Sequence, residues 1–370
     1  MLTDPSFSVF FHIPDITPER PAYMHAVVCL AEGLREMKVK IFSNRNYWKL
    51  DPVRDDYLLS YDPDVDQKDC SIVVVDSAWL TLNNDLPKDL FYSGRSYKTV
   101  YLAMKAGPLI LRPDFHKFDY IFRAHYNKKF WYPPTVRSWA FGLSNRILME
   151  LRSPSPFSDR KQCLIVNFRD KNREVHGVRK YIRDNFIPKV QHTIPIDSTA
   201  DTGKDKVDLN AYHALQCLQS SGRHFPAYYE RLQQSMFVAT FGGYFVPMFP
   251  RDESTIISRL IKRFINNHNI KTNQVLQWES WRFWESLAAG CVTLHLDFEK
   301  YGIAPPVMPE NWKHYIGIDL DQIDEAIDRI SSEPKLLEDI SINGRQWALE
   351  HYSPVPTALR FLNEIGMPQK

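Results

Sequence analysis

Short apolar runs alternate with longer amphipathic stretches along most of the chain. Residues 8–13 (SVFFHI) read as a β-strand. Residues 22–37 follow with Val27, Val28, Leu30, Ala31 and Leu34 along one side, the spacing of a helix. Residues 39–43 (VKIFS) and 71–75 (SIVVV) are the next strands, the second ending on Asp76; residues 99–103 and 120–122 are further candidates. Near-continuous apolar strands separated by helices predict a parallel sheet covered on both faces. The first 150 or so residues therefore read as one doubly wound α/β unit.

Residues 152–161 (RSPSPFSDRK) break the alternation with a linker-like composition. A second alternation starts at once. Strands are expected over 163–168, 192–196, 236–240, 292–296 and 315–318, and helices over 175–185, 211–219, 254–266, 278–289, 321–331 and 334–350. The 254–266 helix carries apolar Ile256, Ile257, Leu260, Ile261 and Phe264. Gly290 is a natural stop for the helix before it. Two prolines, Pro354 and Pro356, separate a last helix over 357–365. The expectation is an α/β protein of two Rossmann-like domains, 1–153 and 154–350, facing a cleft, with a tail over 351–370. Ligands in such sheets bind at the carboxyl ends of the strands.

Composition narrows the function classes. The 370 residues are 44% apolar, enough for two cores. Lys and Arg number 46 against 44 Asp and Glu, a net charge of +2 that argues against a general nucleic-acid binder. Five scattered cysteines form no CxxC pair, which argues against disulfide or zinc frameworks and fits a cytoplasmic protein. No secretory leader, transmembrane run or basic amphipathic helix stands out. GxGxxG, GxxxxGK[ST], GxSxG and HExxH are all missing. Any nucleotide must then be held by side chains and helix N-termini.

The richest stretch is 277–296, QWESWRFWESLAAGCVTLHL. On a helix, Arg282 and Glu285 share a face, and the small residues 288–290 let that helix approach the next strand closely. A carboxylate so placed can accept two ribose hydroxyls. Arg282 can pair with it or meet a phosphate; a plain surface ion pair is the other reading of the two. The Arg-x-x-Glu, small-small-Gly and strand order resembles the donor half of GT-B glycosyltransferases, exostosin-like and related. The resemblance implies a nucleotide-sugar donor with Glu285 on the ribose, and Gly242 and Gly243 after strand 236–240 near the diphosphate. Trp139 to Ser144 resembles the segment closing the first domain, and the tail resembles the GT-B helix that crosses back to it. Retaining members carry a Glu where this chain has Gln277, with Glu279 two positions off. That departure favours an inverting mechanism, which needs a base.

The loop after strand 163–168 holds Arg169, Lys171 and Arg173, with His176 and Arg179 beyond. Their positive field suits a departing diphosphate without a metal or other cofactor; a solvated basic turn is the plainer reading. Base candidates are His12 and Asp15 after the first strand, with Asp76 as a rival. Each has a structural alternative: packed imidazole, turn residue or helix cap. The expected activity is transfer of a sugar from a nucleoside-diphosphate sugar to a glycan or other acceptor hydroxyl. A sugar-nucleotide epimerase and a non-catalytic GT-B-like binding protein remain as alternatives.

Overall fold

The computed structural model describes residues 7–16, 22–168, 176–199, 210–223, 225–246, 256–267, 272 and 274–367. The first half holds β1 (Ser8–His12), α1 (His25–Glu36), β2 (Lys40–Ser43), β3 (Ile72–Asp76), α2 (Ser77–Asn83), β4 (Lys98–Ala103), β5 (Tyr120–Arg123) and β6 (Val136–Ser138). These strands form one parallel sheet in the order β2-β1-β3-β4-β5-β6. The second half holds β7 (Lys161–Ile165), α3 (Gly177–Asn185), β8 (Ile196–Asp197), α4 (Pro226–Gln234), β9 (Ser235–Ala239), β10 (Tyr244–Phe245) and α5 (Ile256–Asn267). It continues with β11 (Val275–Leu276), α6 (Trp281–Ala288), β12 (Val292–Leu296), β13 (Ile316–Ile318), α7 (Pro334–Tyr352) and α8 (Pro354–Glu364). Its parallel sheet runs β8-β7-β9-β12-β13. The pair β10 and β11 forms a separate antiparallel hairpin.

Every residue of β3 and β12 is buried, which is why both read as unbroken apolar runs rather than alternating ones. The strand expected over 192–196 shrinks to β8. Thr193 and Ile194 instead donate to Val190 O and close the turn of a short helix. Strand order reverses between β1 and β3 in the first sheet and between β7 and β9 in the second. Such switch points open crevices at the strands' carboxyl ends.

The tail returns to the first domain. Ala358, Phe361 and Leu362 of α8 belong to the core formed by Val27, Val28 and Leu30 of α1. A side chain at Gly33 would lie 2.0 Å from Pro354 O, so only glycine permits this approach of α1 to the start of α8. Trp139 packs in the first core, 4.7 Å from the Phe122 ring. Ala140, Leu143 and Ile147 pack in the second. Packing thus changes hands at 139/140, ahead of the serine-proline run where the sequence placed the break at 153/154.

Candidate active site

The cleft between the halves has a volume of about 490 Å³, and Asn167, Arg179, Gln277, Glu279, Arg282 and Glu285 are on its wall. Helix α6 supplies two of them because Arg282 and Glu285 stand one turn apart. Glu285 is buried, and its two oxygens accept from Tyr228 Oη and Tyr229 Oη of α4, each at 3.1 Å. Arg146 in turn donates to Tyr229 Oη at 2.8 Å. Nothing in the sequence singled out the tyrosine pair, because it lies 57 and 56 residues from its carboxylate. Arg282 Nε donates to Asn167 Oδ1 at 2.8 Å. Arg179 Nε donates to Phe241 O at 2.8 Å, with its guanidinium beside His176. The cleft therefore gathers Glu285, Arg282 and Arg179 as the sequence grouped them, while Arg169 lies outside the described residues.

Gly242 and Gly243 are not among the cleft-lining residues. A side chain at Gly242 would sit 2.4 Å from Trp278 O, and one at Gly243 would sit 2.1 Å from Leu276 O. Gly243 also holds φ +84. Their local effect is to let the 241–243 turn press on the 276–278 backbone, which carries Gln277 into the cleft. Glu279 accepts from Phe141 N and from Trp284 Nε1, while its Oε2 is buried with no hydrogen-bond partner among the described residues. Burial raises its pKa well above the usual carboxylate range. His125, also on the cleft wall, has its pKa pushed well down by burial and by the Arg123 charge.

A second cavity of about 420 Å³ opens on the first domain. It shares Met104, Phe141, Arg223 and Trp281 with the cleft, so the two spaces meet there. Asp76, at the carboxyl end of β3, lines this cavity. Its Oδ1 caps α2 by accepting from Ala78 N at 2.7 Å. Its Oδ2 is buried and has no hydrogen-bond partner among the described residues. Burial pushes its pKa up to about 7, against the opposing pull of the Ala78 and Ser77 hydrogen bonds. His25, also on this wall, is held by Tyr23 Oη at 2.6 Å and Gly142 O at 3.0 Å.

His12 and Asp15 lie elsewhere. Asn44 ties down the end of β1 by accepting from Ile13 N and donating to Ile13 O. His12 hydrogen-bonds Gln67 at 2.8 Å and sits edge-on to Phe10 and Trp79. Burial lowers its pKa to about 4, against the Gln67 hydrogen bond. Asp15 is exposed and paired with Arg45 at 2.5 Å. Neither lines the cleft or the second cavity. The sequence signal that identifies Asp76 is a carboxylate closing a wholly apolar strand.

A larger concavity, about 800 Å³, is lined by Arg160, Gly290, Ser341 and Arg345. Arg160 precedes β7 and Gly290 precedes β12, so this space opens at the amino ends of the strands, away from the switch points.

No family model and no curated protein matches the chain. Solved structures do match in fold. One is an α-glucosyltransferase in complex with UDP, at 12% identity and a TM-score of 0.53, covering 98% of this chain and 100% of that one. The same kind of enzyme with UDP-glucose and DNA containing an abasic site matches at 13% identity and 0.51, covering 97% and 98%. A third, with UDP and a 13-mer DNA containing an HMU base, matches at 11% and 0.52, covering 98% and 100%. This chain has the GT-B fold. The two sheets, the cleft between them and the returning α8 are the parts of that fold described above.

Proposed function

We propose that the protein is a glycosyltransferase that moves a sugar from a nucleoside-diphosphate sugar to an acceptor hydroxyl. The observation that carries this reading is the meeting of two differently equipped spaces at Trp281 and Phe141. The cleft offers a fixed carboxylate, Glu285, for the ribose hydroxyls, with Arg282 and Arg179 for the diphosphate. Those cations would stabilise the departing diphosphate without a metal. The solved neighbours of the same fold that hold UDP or UDP-glucose support this donor class.

The adjoining cavity takes the acceptor. In the reaction its hydroxyl oxygen bonds to the anomeric carbon from the face opposite the diphosphate, whose bond to that carbon breaks. Asp76 Oδ2 takes the hydroxyl proton, and the nucleoside diphosphate leaves with the bonding pair. The product is inverted. The name α-glucosyltransferase on the neighbours favours a second reading, retention, because the sugar of UDP-glucose is itself α-linked. The deciding experiment incubates the protein with UDP-sugars, with and without EDTA, and a panel of hydroxyl acceptors that includes hydroxylated DNA. Released UDP and the anomeric configuration of the product are followed by NMR. Inversion is expected. A product of retained configuration overturns the role given to Asp76. Interconversion of sugars without UDP release points to an epimerase, and no UDP binding at all removes the donor reading of Glu285.

A further inference from the structure

Helix α5 (Ile256–Asn267) turns its apolar side away from the protein. At 100° per residue, Ile256, Ile257, Leu260, Ile261 and Phe264 fall on one half of its circumference. Arg259 and Arg263 fall on the other, and the sequence of the helix holds three basic residues and no acidic one. A helix of this pattern ordinarily buries its apolar side. Here Ile256 is 70% exposed, Ile257 69%, Leu260 60% and Phe264 58%. The sequence alone predicts a helix over 254–266 and singles out no basic amphipathic helix; the exposure of the apolar side of α5 is what sets it apart.

We propose that α5 is an interfacial helix that seats the protein on an anionic lipid surface. The apolar half would sink among the acyl chains while Arg259 and Arg263 meet the headgroup charge. Three cations with no acid between them favour an anionic surface over a neutral one. The supporting hairpin is firmly built: Val246 N donates to Gln274 O at 2.8 Å and Thr272 Oγ1 donates to Val246 O at 2.6 Å. Asn127 also donates to Val275 O at 3.0 Å, from a loop whose Trp131 is 82% exposed. From β11 the chain runs directly into Gln277 on the cleft wall. The mode is peripheral: among the described residues no helix is long and apolar enough to cross a membrane.

The test is sedimentation of the full chain with phosphatidylglycerol–phosphatidylcholine vesicles at a 1:1 ratio and with phosphatidylcholine vesicles alone. Binding to the anionic vesicles is expected to be on the order of 100-fold tighter and to weaken with salt. Ile257→Glu with Leu260→Glu should abolish it, and Arg259→Glu with Arg263→Glu should remove the preference for anionic vesicles. Both variants should keep the wild-type melting temperature and UDP binding, which shows that they fold. Failure to bind either vesicle, or binding that survives Ile257→Glu with Leu260→Glu, overturns the proposal. So does a wild-type dimer in sedimentation velocity that this double variant disperses, since α5 would then join two copies. None of these outcomes touches the transferase reading, which is tested by UDP release in vesicle-free solution.

Discussion

Of the three buried carboxylates that line the joined cavities, Glu285 and Asp76 stand in opposite domains and are equipped differently. Glu285 is anchored: each of its oxygens accepts one tyrosyl hydroxyl, and Arg146 supports one of the tyrosines. Asp76 is half-satisfied: one oxygen caps α2 and the other has no hydrogen-bond partner among the described residues. An anchored carboxylate is held in place while each oxygen keeps a lone pair to accept from a ligand, which suits binding. A carboxylate with a bare buried oxygen and a pKa near 7 suits proton transfer at neutral pH. Glu285 is thus built for geometry and Asp76 for titration.

The largest effect should come from removing the titrating member. Asp76→Asn keeps the helix cap, because an amide oxygen can still accept from Ala78 N. Turnover should fall by roughly 10²–10⁴-fold with UDP affinity unchanged. Wild-type turnover should rise with pH through a midpoint near 7. Stability should move the other way. Asp76 has a folded pKa raised above its unfolded value of 3.8, so its neutral form is favoured in the native state. The contribution of Asp76 to native stability is then greatest below 3.8, falls as pH rises to about 7, and is flat beyond. The loss across that window is on the order of 4 kcal/mol. In Asp76→Asn this slope should be absent from a series of denaturant melts. An unchanged slope in the variant would show that another group sets it.

Next in size is the anchored member. Glu285→Gln preserves volume and can still satisfy Tyr228 and Tyr229, so the fold should hold. Loss of the charge from the ribose hydrogen bonds should weaken UDP binding roughly tenfold to a hundredfold in calorimetry. Glu285→Ala is a poorer test, because it strands two buried hydroxyls and mixes stability with binding. If Glu285→Gln instead lowers turnover with UDP affinity intact, the two carboxylates do not divide the work as described.

A smaller effect, on stability, is expected from the turn beneath the cleft. Gly243→Ala places a methyl group 2.1 Å from Leu276 O at φ +84. The backbone there must shift, at a cost of about 1–3 kcal/mol read in a denaturant melt. Because Gln277 rides on the contacted segment, donor affinity should drop along with stability.

What the sequence made legible follows from the range of the interactions. Apolar periodicity is local, so the two sheets could be read from it, whereas the return of the tail was implied only by the resemblance to GT-B enzymes. The Arg282 and Glu285 pair lies within one helical turn and was equally legible. The tyrosines that fix Glu285 come from a helix more than 50 residues away, and the wall shared by the two cavities joins residues of both domains. Such meetings leave no mark on local pattern. Exposure is also invisible to periodicity: α5 has the spacing of a core helix and the opposite orientation.

The smallest expected effect concerns the first strand. Position after a strand end made His12 and Asp15 the base candidates with Asp76 as a rival, because the carboxyl ends of β1 and β3 flank the same switch point. They differ in what closes over each end. Asn44 and Gln67 seal β1, burial holds the His12 pKa near 4, and His12 is not among the residues lining either cavity. An imidazole with that pKa is neutral at pH 7, but its Nε2 is already engaged with Gln67. His12→Gln should therefore change turnover by no more than about twofold, within the spread expected of a site outside the chemistry. A drop in turnover as large as that of Asp76→Asn, with the fold intact by melting temperature, would move the base from β3 to β1 and dissolve the contrast between the two walls.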